Sequence, residues 1–256
     1  MTAPPFSSAL VTGASSGIGE SMARLLGGAG IPTVVVARRA DRLEQLAAAH
    51  PSIEVLVADL TTDVGVKAVE QAIADRGFDL VVNNAGFGTS GSFHTLDPDR
   101  LDREVALNVR ALTRLSHAAL RTMVPRGTGH LLNVSSVASF QPAPDLAVYA
   151  ATKAYVTSLT ESLHEEVRGT GVRVTALCPG LTRTEFISVS NPSGRSATYP
   201  RFMWLDADEV AAAALADVAR GRPLSVPGRL YRVLVSISSV TPRAVARRLS
   251  ARVRRE

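Results

Sequence analysis

The chain has 256 residues, of which 46% are hydrophobic and 20% charged, so it can bury the core of one α/β domain and is not a low-complexity chain. The formal net charge is +5, but residues 243–256 hold six of the 28 basic residues and one of the 23 acidic ones. The rest of the chain is therefore neutral. A neutral body argues against a nucleic-acid-binding protein.

The lone cysteine, Cys178, excludes an intrachain disulfide and favours a reducing compartment, so we expect a cytoplasmic protein. Cys178 ends an apolar run, which predicts a buried, inert thiol. Residues 1–6 lack the pattern of a signal peptide, and no apolar run reaches the ~18 residues of a membrane span. The five histidines show no metal-ligand spacing, so no metal site is expected.

The first predicted unit is a strand, a glycine-rich loop and a helix. Residues 8–11 are apolar, TGASSGIG follows at 12–19, and the helix ends in the glycines of 27–30. Glycines at this point allow a tight turn and let backbone N–H groups approach a pyrophosphate at the helix N-terminus. A plain turn is the alternative, but the strand–loop–helix context favours dinucleotide binding.

Two arginines follow the second predicted strand, residues 33–37. A site for NAD normally has an acidic residue here, which binds the ribose 2′-hydroxyl. Arg38 and Arg39 suit a 2′-phosphate instead, which predicts a preference for NADP(H) over NAD(H). The alternative is a pair of solvated charges before a helix over 41–49, with Asp41 as its N-cap.

Strands and helices alternate along the rest of the chain, which predicts a Rossmann-type, doubly wound parallel sheet in a single domain. Asp97 is expected to cap a long helix with Pro98 at its first position. Asn108 lies inside that helix, either tolerated on an exposed face or bonded to a specific group. Further strands are predicted over 53–58, 79–82, 131–135, 172–178 and 224–226, and further helices over 149–168 and 206–220.

The stretch YAATK places Tyr149 and Lys153 one turn apart on the same face of a helix. A tyrosine with a pKa near ~10 is a poor acid or base at neutral pH, but an ammonium beside it favours the phenolate. Lys67 and Lys153 are the only lysines in a chain that otherwise uses arginine, which argues against an incidental pair. Ser135 or Ser136, at the end of a strand, could bind a carbonyl oxygen while Tyr149 supplies the proton.

Residues 179–184, PGLTRT, leave a strand at its carboxyl end, where ligands of open α/β sheets bind. The Ser-, Pro- and Gly-rich residues 185–206 are predicted to form a substrate loop, with Phe186, Phe202, Met203 and Trp204 as apolar anchors. An apolar substrate would suit these anchors.

The C-terminal residues 229–256 are predicted to form a basic helical extension. Residues 229–240 have apolar side chains at helical spacing, and a second helix begins at Thr241 and Pro242 with six arginines around a narrow apolar stripe. Residues 243–256 would then suit peripheral contact with an anionic membrane. Packing on the body or on a second subunit is the alternative, and it is favoured for 229–240.

Together these motifs resemble the short-chain dehydrogenase/reductase family over residues 7–228, predicted as one dinucleotide-binding and catalytic domain. The matching motifs are TGASSGIG, DL at 59–60, NNAG at 83–86, Asn108, Ser136, YAATK and PGLTRT. Ser136 matches better than Ser135 because it lies thirteen residues before the tyrosine. The resemblance implies that Tyr149 is the acid/base for a ketone or aldehyde and its alcohol, and that Ser136 polarises the substrate oxygen. Lys153 would bind the nicotinamide ribose and lower the pKa of the tyrosine, and Asn108 would hold a water.

The resemblance also implies the cofactor contacts, with Asp59 and Asn84 at the adenosine end and residues 179–184 at the nicotinamide end. Members that prefer NADP often have a basic residue where this chain has Ser16, so the preference rests on Arg38 and Arg39. The full predicted set is Gly13, Ser15, Ser16, Gly17, Ile18, Gly19, Arg38, Arg39, Asp59, Leu60, Asn84, Ala85, Gly86, Tyr149, Lys153, Pro179, Gly180, Thr182 and Thr184.

Two other functions fit the same fold: a non-catalytic NADPH-binding sensor and a membrane-peripheral adaptor. The complete set of Asn108, Ser136, Tyr149 and Lys153 favours an enzyme with a small carbonyl or alcohol substrate, since a sensor does not need all four. In similar enzymes the helices that carry Asn108 and Tyr149 pair across subunits, which implies a homodimer or homotetramer.

Overall fold

The computed structural model describes residues 5–190 and 200–241. Seven parallel strands form one sheet in the order β3-β2-β1-β4-β5-β6-β7, which confirms the Rossmann-type doubly wound fold. The strands are β1 (Ala9–Thr12), β2 (Thr33–Ala37), β3 (Ile53–Val57), β4 (Leu80–Asn83), β5 (Gly129–Val134), β6 (Val172–Leu177) and β7 (Leu224–Ser225).

Helices cover both faces of the sheet. Within the described residues they are α1 (Gly17–Gly28), α2 (Ala40–Ala49), α3 (Asp63–Arg76), α4 (Pro98–Val105), α5 (Leu112–Arg126), α6 (Ala147–Glu166), α7 (Phe186–Ser190), α8 (Ala207–Ala219) and α9 (Arg229–Val240). Short 3₁₀ turns lie at Phe93–Thr95, Val137–Phe140 and Arg201–Met203.

The central strands are buried on both faces, as parallel strands between two helical layers must be. Successive side chains point to opposite faces: Leu131 packs in the cluster formed with α3 and α5, and Leu132 in the cluster formed with α1, α2 and α8. This burial explains why the strands are continuous runs of Val, Leu and Ala.

The winding direction reverses between β1 and β4, which are neighbours in the sheet although two strands separate them along the chain. In open α/β sheets such a reversal leaves a crevice at the carboxyl ends of the strands. The glycine-rich loop follows β1 and the NNAG segment begins at the end of β4, so both lie at this crevice.

Asp97 begins the long helix as predicted, since its side chain accepts a hydrogen bond from N of Asp99 (3.1 Å) and Pro98 is the first helical residue. α4 and α5 are joined by a π-helical segment, Ala106–Ala111, which contains Asn108. π-helical turns are rare and occur often at functional sites.

Some elements differ from the sequence-based predictions. The N-cap position of α2 is held by Arg39, and Asp41 lies in the first turn, so the prediction that Asp41 caps this helix is wrong. A carboxylate in the first turn still favours the helix through its dipole. α3 was not predicted, although Thr62 caps it by accepting a hydrogen bond from N of Gly65 (3.1 Å).

One side of α9 is attached to the body. Tyr231 is buried and Ser238 donates a hydrogen bond to O of Phe140 (3.1 Å). The adjoining side exposes a stripe of apolar side chains, 38–56% accessible: Leu230, Val233, Leu234 and Ile237. The predicted second helix of residues 242–256 and its membrane contact lie outside the described residues.

Candidate active site

The glycine-rich loop packs closely against the segment that follows β4. Gly13 and Gly17 have φ angles of 68° and 59°, in the left-handed region that favours glycine. A Cβ on Gly13 would lie 2.7 Å from Nδ2 of Asn84, which donates hydrogen bonds to O of Thr12 (2.9 Å) and O of Gly13 (3.2 Å). The approach forms a cradle at the N-terminus of α1 that suits a pyrophosphate.

The other predicted residues of this loop have separate positions. Ser15 binds Arg39, Ser16 is the N-cap residue of α1 without a side-chain cap bond, and Ile18 packs against the core. Gly19 faces Asn84, where a Cβ would collide with the amide. Side chains larger than hydrogen are thus excluded at two points of the cradle.

Arg38 and Arg39 lie at the carboxyl end of β2, beside the cradle. Arg39 is held in place: its Nε and NH2 donate to Oγ (3.2 Å) and O (3.0 Å) of Ser15, and its NH1 donates to Oε2 of Glu185 (2.8 Å). Arg38 is 71% exposed, and its nearest acidic contact is Oδ2 of Asp59 at 4.0 Å. One guanidinium is therefore fixed and the other extends into solvent at the same edge.

The predicted residues after β3 and β4 lie at this edge too. Oδ1 of Asp59 accepts hydrogen bonds from N (2.9 Å) and Oγ1 (2.8 Å) of Thr61, and Leu60 is buried in the core. N of Ala85 donates to Oγ1 of Thr12 (3.1 Å), which ties the NNAG segment to β1. These bonds order the wall of the crevice.

The structure brings the four predicted catalytic residues together. Ser136, Tyr149, Lys153 and Asn108 are all buried, at most 8% exposed. A Cβ on Gly86 would lie 2.9 Å from Oδ1 of Asn108 and 3.4 Å from Nζ of Lys153, so this glycine lets the NNAG segment reach both. Nζ of Lys153 is 5.7 Å from the centre of the tyrosine ring.

Asn108 is bonded to specific groups and is not on an exposed face. Its Nδ2 donates to O of Phe87 (2.8 Å) and Oγ1 of Thr152 (3.1 Å), and its Oδ1 accepts from N of Phe87 (3.2 Å). The side chain thereby joins the π-helical segment to the loop after β4 and to α6. Its hydrogen-bonding capacity is largely spent on this bracing.

The two serines after β5 differ in their surroundings. Ser135 is fully used within the core, where its Oγ donates to O of Lys153 (2.8 Å) and lies 2.6 Å from Oγ1 of Thr157. Oγ of Ser136 accepts from N of Ala138 (3.1 Å) and also bonds the Tyr149 hydroxyl, which lowers the pKa of that tyrosine. The structure therefore favours Ser136 over Ser135 as the partner of Tyr149.

Burial dominates the ionisation of the tyrosine and the lysine. Burial raises the pKa of Tyr149 to about 12, and the Ser136 bond offsets only part of this rise. Burial also lowers the pKa of Lys153 to about 8. The expected depression of the Tyr149 pKa by Lys153 is absent here, because Lys153 loses its charge before the tyrosine ionises.

Residues 179–184 run from β6 across the glycine cradle. O of Pro179 accepts from N of Val137 (3.1 Å), and Oγ1 of Thr182 donates to O of Gly180 (3.0 Å). A Cβ on Gly17 would lie 2.8 Å from Cγ2 of Thr184, so this threonine rests on the cradle. The predicted nicotinamide-end residues therefore meet the predicted pyrophosphate loop.

Three residues of this region were missed by the sequence analysis. Glu185 pairs with Arg39, and the hydroxyl of Tyr231 accepts from N of Leu181 (3.0 Å) and donates to O of Met203 (2.7 Å). Glu104 is a buried carboxyl group one turn before Asn108. No sequence motif marks these residues, since each depends on a contact between distant parts of the chain. The opposite charges of Arg39 and Glu185 are the only weak signal in the sequence.

Known proteins are similar to this chain in sequence and fold. The family model for short chain dehydrogenase matches residues 7–193. An uncharacterized oxidoreductase of Staphylococcus aureus (strain N315) is 34% identical over 224 residues, which cover 85% of this chain and 93% of that protein. A short-chain dehydrogenase from Sphingobium yanoikuyae in complex with NADPH is 33% identical, with a TM-score of 0.81 over 93% of this chain and 97% of that one. The bulky-bulky ketone specific alcohol dehydrogenase from Comamonas testosteroni is 30% identical, with a TM-score of 0.75 over 93% and 95%.

The chain belongs to the short-chain dehydrogenase/reductase family, whose members are oxidoreductases that bind a nicotinamide dinucleotide and act on small molecules. Across residues 5–190 and 200–241, no helix is long and apolar enough to cross a membrane. The same ranges contain no group of three or more His, Cys, Asp or Glu side chains placed to hold a metal ion.

Proposed function

We propose that the chain is an NADP(H)-dependent oxidoreductase that interconverts a ketone or aldehyde and the corresponding alcohol. The observation that carries this proposal is the convergence of Ser136, Tyr149 and Lys153 beside the glycine cradle. The Sphingobium protein is described with NADPH and the Comamonas protein as a ketone-specific alcohol dehydrogenase, which supports the same class.

The residues present fit NADP(H). The glycine cradle lies at the N-terminus of α1, where a pyrophosphate would bind, and the end of β2 offers two guanidinium groups where a carboxylate would select NAD. Arg38 and Arg39 would hold the 2′-phosphate, Asp59 the adenosine end, and residues 179–184 the nicotinamide end. When bound, NADPH supplies the hydride for carbonyl reduction.

In the reduction direction, Tyr149 donates its hydroxyl proton to the substrate oxygen, and Oγ of Ser136 holds that oxygen. Because burial raises the pKa of Tyr149 to about 12, the hydroxyl keeps its proton at neutral pH and is ready to act as the acid. The ring of Phe186 lies 5.2 Å from the ring of Tyr149 and shields it from water. Lys153 would bind the nicotinamide ribose, and Asn108 would hold a water of the proton route through the acceptor capacity that remains on its Oδ1.

Assembly and location extend the proposal. The 3₁₀ turn before α4, α4 itself, the π-helical segment and α6 share an apolar groove lined by Phe93, Val105, Val109, Ala147, Val148 and Ala151, which supports a homodimer or homotetramer through this face. A monomer by light scattering at micromolar concentration would overturn this.

We further propose a catalytic unit of residues 1–228, a basic extension of 229–256, and a cytoplasmic location on the basis of the single cysteine.

The test is NADPH oxidation against a panel of ketones, aldehydes, quinones and acyl thioesters. We expect turnover of at least one ketone or aldehyde, with slower consumption of NADH. Tight NADPH binding without any turnover would favour the sensor. Activity that survives in Tyr149→Phe would show that the proton comes from another group.

A further inference from the structure

An ion pair joins the end of β2 to the segment that follows β6, and the mechanism above gives this pair no role. NH1 of Arg39 donates a hydrogen bond to Oε2 of Glu185 (2.8 Å), across 146 residues of chain. Both side chains are partly exposed, 41% and 45%, so a ligand from solution can reach them. The carboxylate therefore lies on a guanidinium that the proposed cofactor needs.

The guanidinium of Arg39 has two edges, each of which can hold an oxyanion through two parallel N–H groups. The edge formed by Nε and NH2 is occupied by Ser15, whose Oγ and O accept at 3.2 and 3.0 Å. The other edge, formed by NH1 and NH2, is occupied at NH1 by Glu185. Both edges are thus engaged, and a phosphate gains a two-point contact only by replacing one of these acceptors.

Of the two acceptors, Glu185 is the one that a phosphate can replace. One of the two Ser15 bonds is to backbone O, which cannot turn away without moving the glycine cradle. Glu185 holds Arg39 through its side chain, and a carboxylate and a phosphate repel each other at one guanidinium. Because an exposed ion pair contributes little, a phosphate with nearly two negative charges is the stronger acceptor.

We propose that Glu185 is a specificity-determining residue, whose carboxylate occupies the N–H groups of Arg39 in the free chain and is displaced by the 2′-phosphate of NADP(H). NADH lacks this phosphate and leaves the ion pair intact. The inference rests on the proposed preference for NADP(H) and refines it, since Glu185 competes with the phosphate for Arg39. Arg38, whose nearest acidic contact is 4.0 Å away, is far less restrained.

Displacement of Glu185 also affects the catalytic end of the crevice. Glu185 immediately precedes α7, whose first residue, Phe186, lies with its ring 5.2 Å from the ring of Tyr149. The end of α7 is attached to the loop after β4, where O of Ser190 accepts from N of Ser90 (2.9 Å). The 2′-phosphate therefore loosens the beginning of the segment that covers Tyr149 and leaves its end in place.

The sign of one substitution separates displacement from its opposite. If Glu185 held Arg39 in place for the phosphate, Glu185→Gln would weaken NADPH binding. If the phosphate displaces Glu185, the neutral amide competes less, and Glu185→Gln should tighten NADPH binding about 3- to 5-fold, which is the upper range for an exposed ion pair. NADH affinity should stay unchanged, so fluorescence titrations with both cofactors measure the effect as a ratio.

Glu44→Gln is the matched control, because it removes the same charge from an exposed site on α2, the helix that Arg39 precedes, and should leave the ratio unchanged. In an Arg39→Ala background the gain from Glu185→Gln should disappear, since no guanidinium is left to free. NADPH affinity in Glu185→Gln that equals or falls below the wild-type value overturns the displacement. A gain that persists without Arg39 overturns it too.

Hydrogen exchange tests the release of α7 without any turnover. The probes are adenosine 2′,5′-bisphosphate and adenosine 5′-monophosphate at saturating concentration, which differ only in the 2′-phosphate. N of Val189 donates to O of Glu185 (3.0 Å), and we expect this amide to exchange about 3- to 5-fold faster with the bisphosphate than with the monophosphate. In Glu185→Gln the two probes should give equal exchange. Equal exchange in the wild type overturns the release of α7.

These binding readouts separate the displacement from the proposed reaction. A chain without turnover whose NADPH affinity rises in Glu185→Gln keeps the displacement and loses the reaction. An active chain whose NADPH affinity falls in Arg38→Ala with Arg39→Ala, but is unchanged in Glu185→Gln, keeps the proposed function and loses the displacement.

Discussion

At the end of the crevice that holds Tyr149 and Lys153, the ionisable side chains are at most 8% exposed, whereas the guanidinium groups of Arg38 and Arg39 at the other end are 71% and 41% exposed. Burial moves the pKa of both Tyr149 and Lys153 away from their ordinary values. At the exposed end, the bond from Arg39 holds the pKa of Glu185 below its ordinary value.

Because of this difference in exposure, charged groups have different roles at the two ends. In the buried end a charge is expensive, so desolvation decides which form each group takes and small changes alter the chemistry. In the exposed end water and salt screen the charges, so each contact adds modest selectivity and little stability. We expect substitutions to reveal chemistry at one end and cofactor preference at the other.

The sharpest test of the buried end is Tyr149→Phe, which keeps the ring against Phe186 and removes the proton. We expect hydride transfer to slow about 1000-fold, because a positioned acid contributes on the order of 10²–10⁴ in rate. NADPH affinity should be largely retained in a fluorescence titration. Tyr155→Phe, on the exposed side of the same helix, is the control and should have near wild-type rates. Near-full activity in Tyr149→Phe would show that the buried end does not supply the proton, and the two ends would then not differ in the way described.

The second prediction concerns stability and pH. The pKa of Lys153 is about 8 in the folded chain against an ordinary 10.5, so between these values the unfolded chain binds more protons and stability rises with pH. The rise amounts to about 3 kcal/mol over the full interval. Below pH 8 the cost of burying the ammonium is fully present.

Urea unfolding at pH 8, 9 and 10 measures this rise as the difference between wild type and Lys153→Met. The difference is needed because the raised pKa values of Cys178 and Tyr149 act in the opposite sense, lowering stability as pH increases through about 9–11 and 10–12. A constant difference across the three pH values would contradict a desolvated lysine. The attraction within the exposed Arg39–Glu185 pair should instead weaken as salt is added.

The third prediction tests the exposed end. Arg38→Ala with Arg39→Ala should weaken NADPH by about 10- to 100-fold, since a charge-assisted hydrogen bond contributes about 1.5–3 kcal/mol. NADH affinity should change little, because it lacks the 2′-phosphate. Isothermal titration with both cofactors measures this. Arg121→Ala with Arg168→Ala removes two exposed arginines outside the crevice and is the control. Equal losses for both cofactors would show that Arg38 and Arg39 do not read the phosphate.

Periodicity and motifs predicted the parallel sheet and the placement of Tyr149, Lys153 and Ser136, because those features depend on local patterns of two to thirteen residues. Two features of the structure depend on contacts that such local patterns do not reveal. The π-helical turn contains Asn108, whose amide bonds Phe87 and Thr152, 21 and 44 residues away in the chain. The fixed position of Arg39 depends on Glu185, 146 residues later.

The raised pKa of Tyr149 was also unpredictable from the sequence. The Tyr–Lys spacing suggested a lowered value, but spacing reveals only that two groups are close. It does not reveal how much water both groups lose, and here that loss outweighs their attraction.

The smallest expected effect concerns exposed charge outside the crevice. α9 presents Leu230, Val233, Leu234 and Ile237 to solvent, and residues 243–256 add six arginines. Each arginine adds about 1 kcal/mol of binding near an anionic surface, and salt screens this attraction. We therefore expect weak, salt-sensitive co-sedimentation with anionic liposomes, little with neutral ones, and a loss on truncation after Val240. Liposome binding that depends on neither lipid charge nor the truncation would exclude a membrane role for the residues after Val240. A shift from dimer to monomer on truncation would instead assign these residues to a subunit contact.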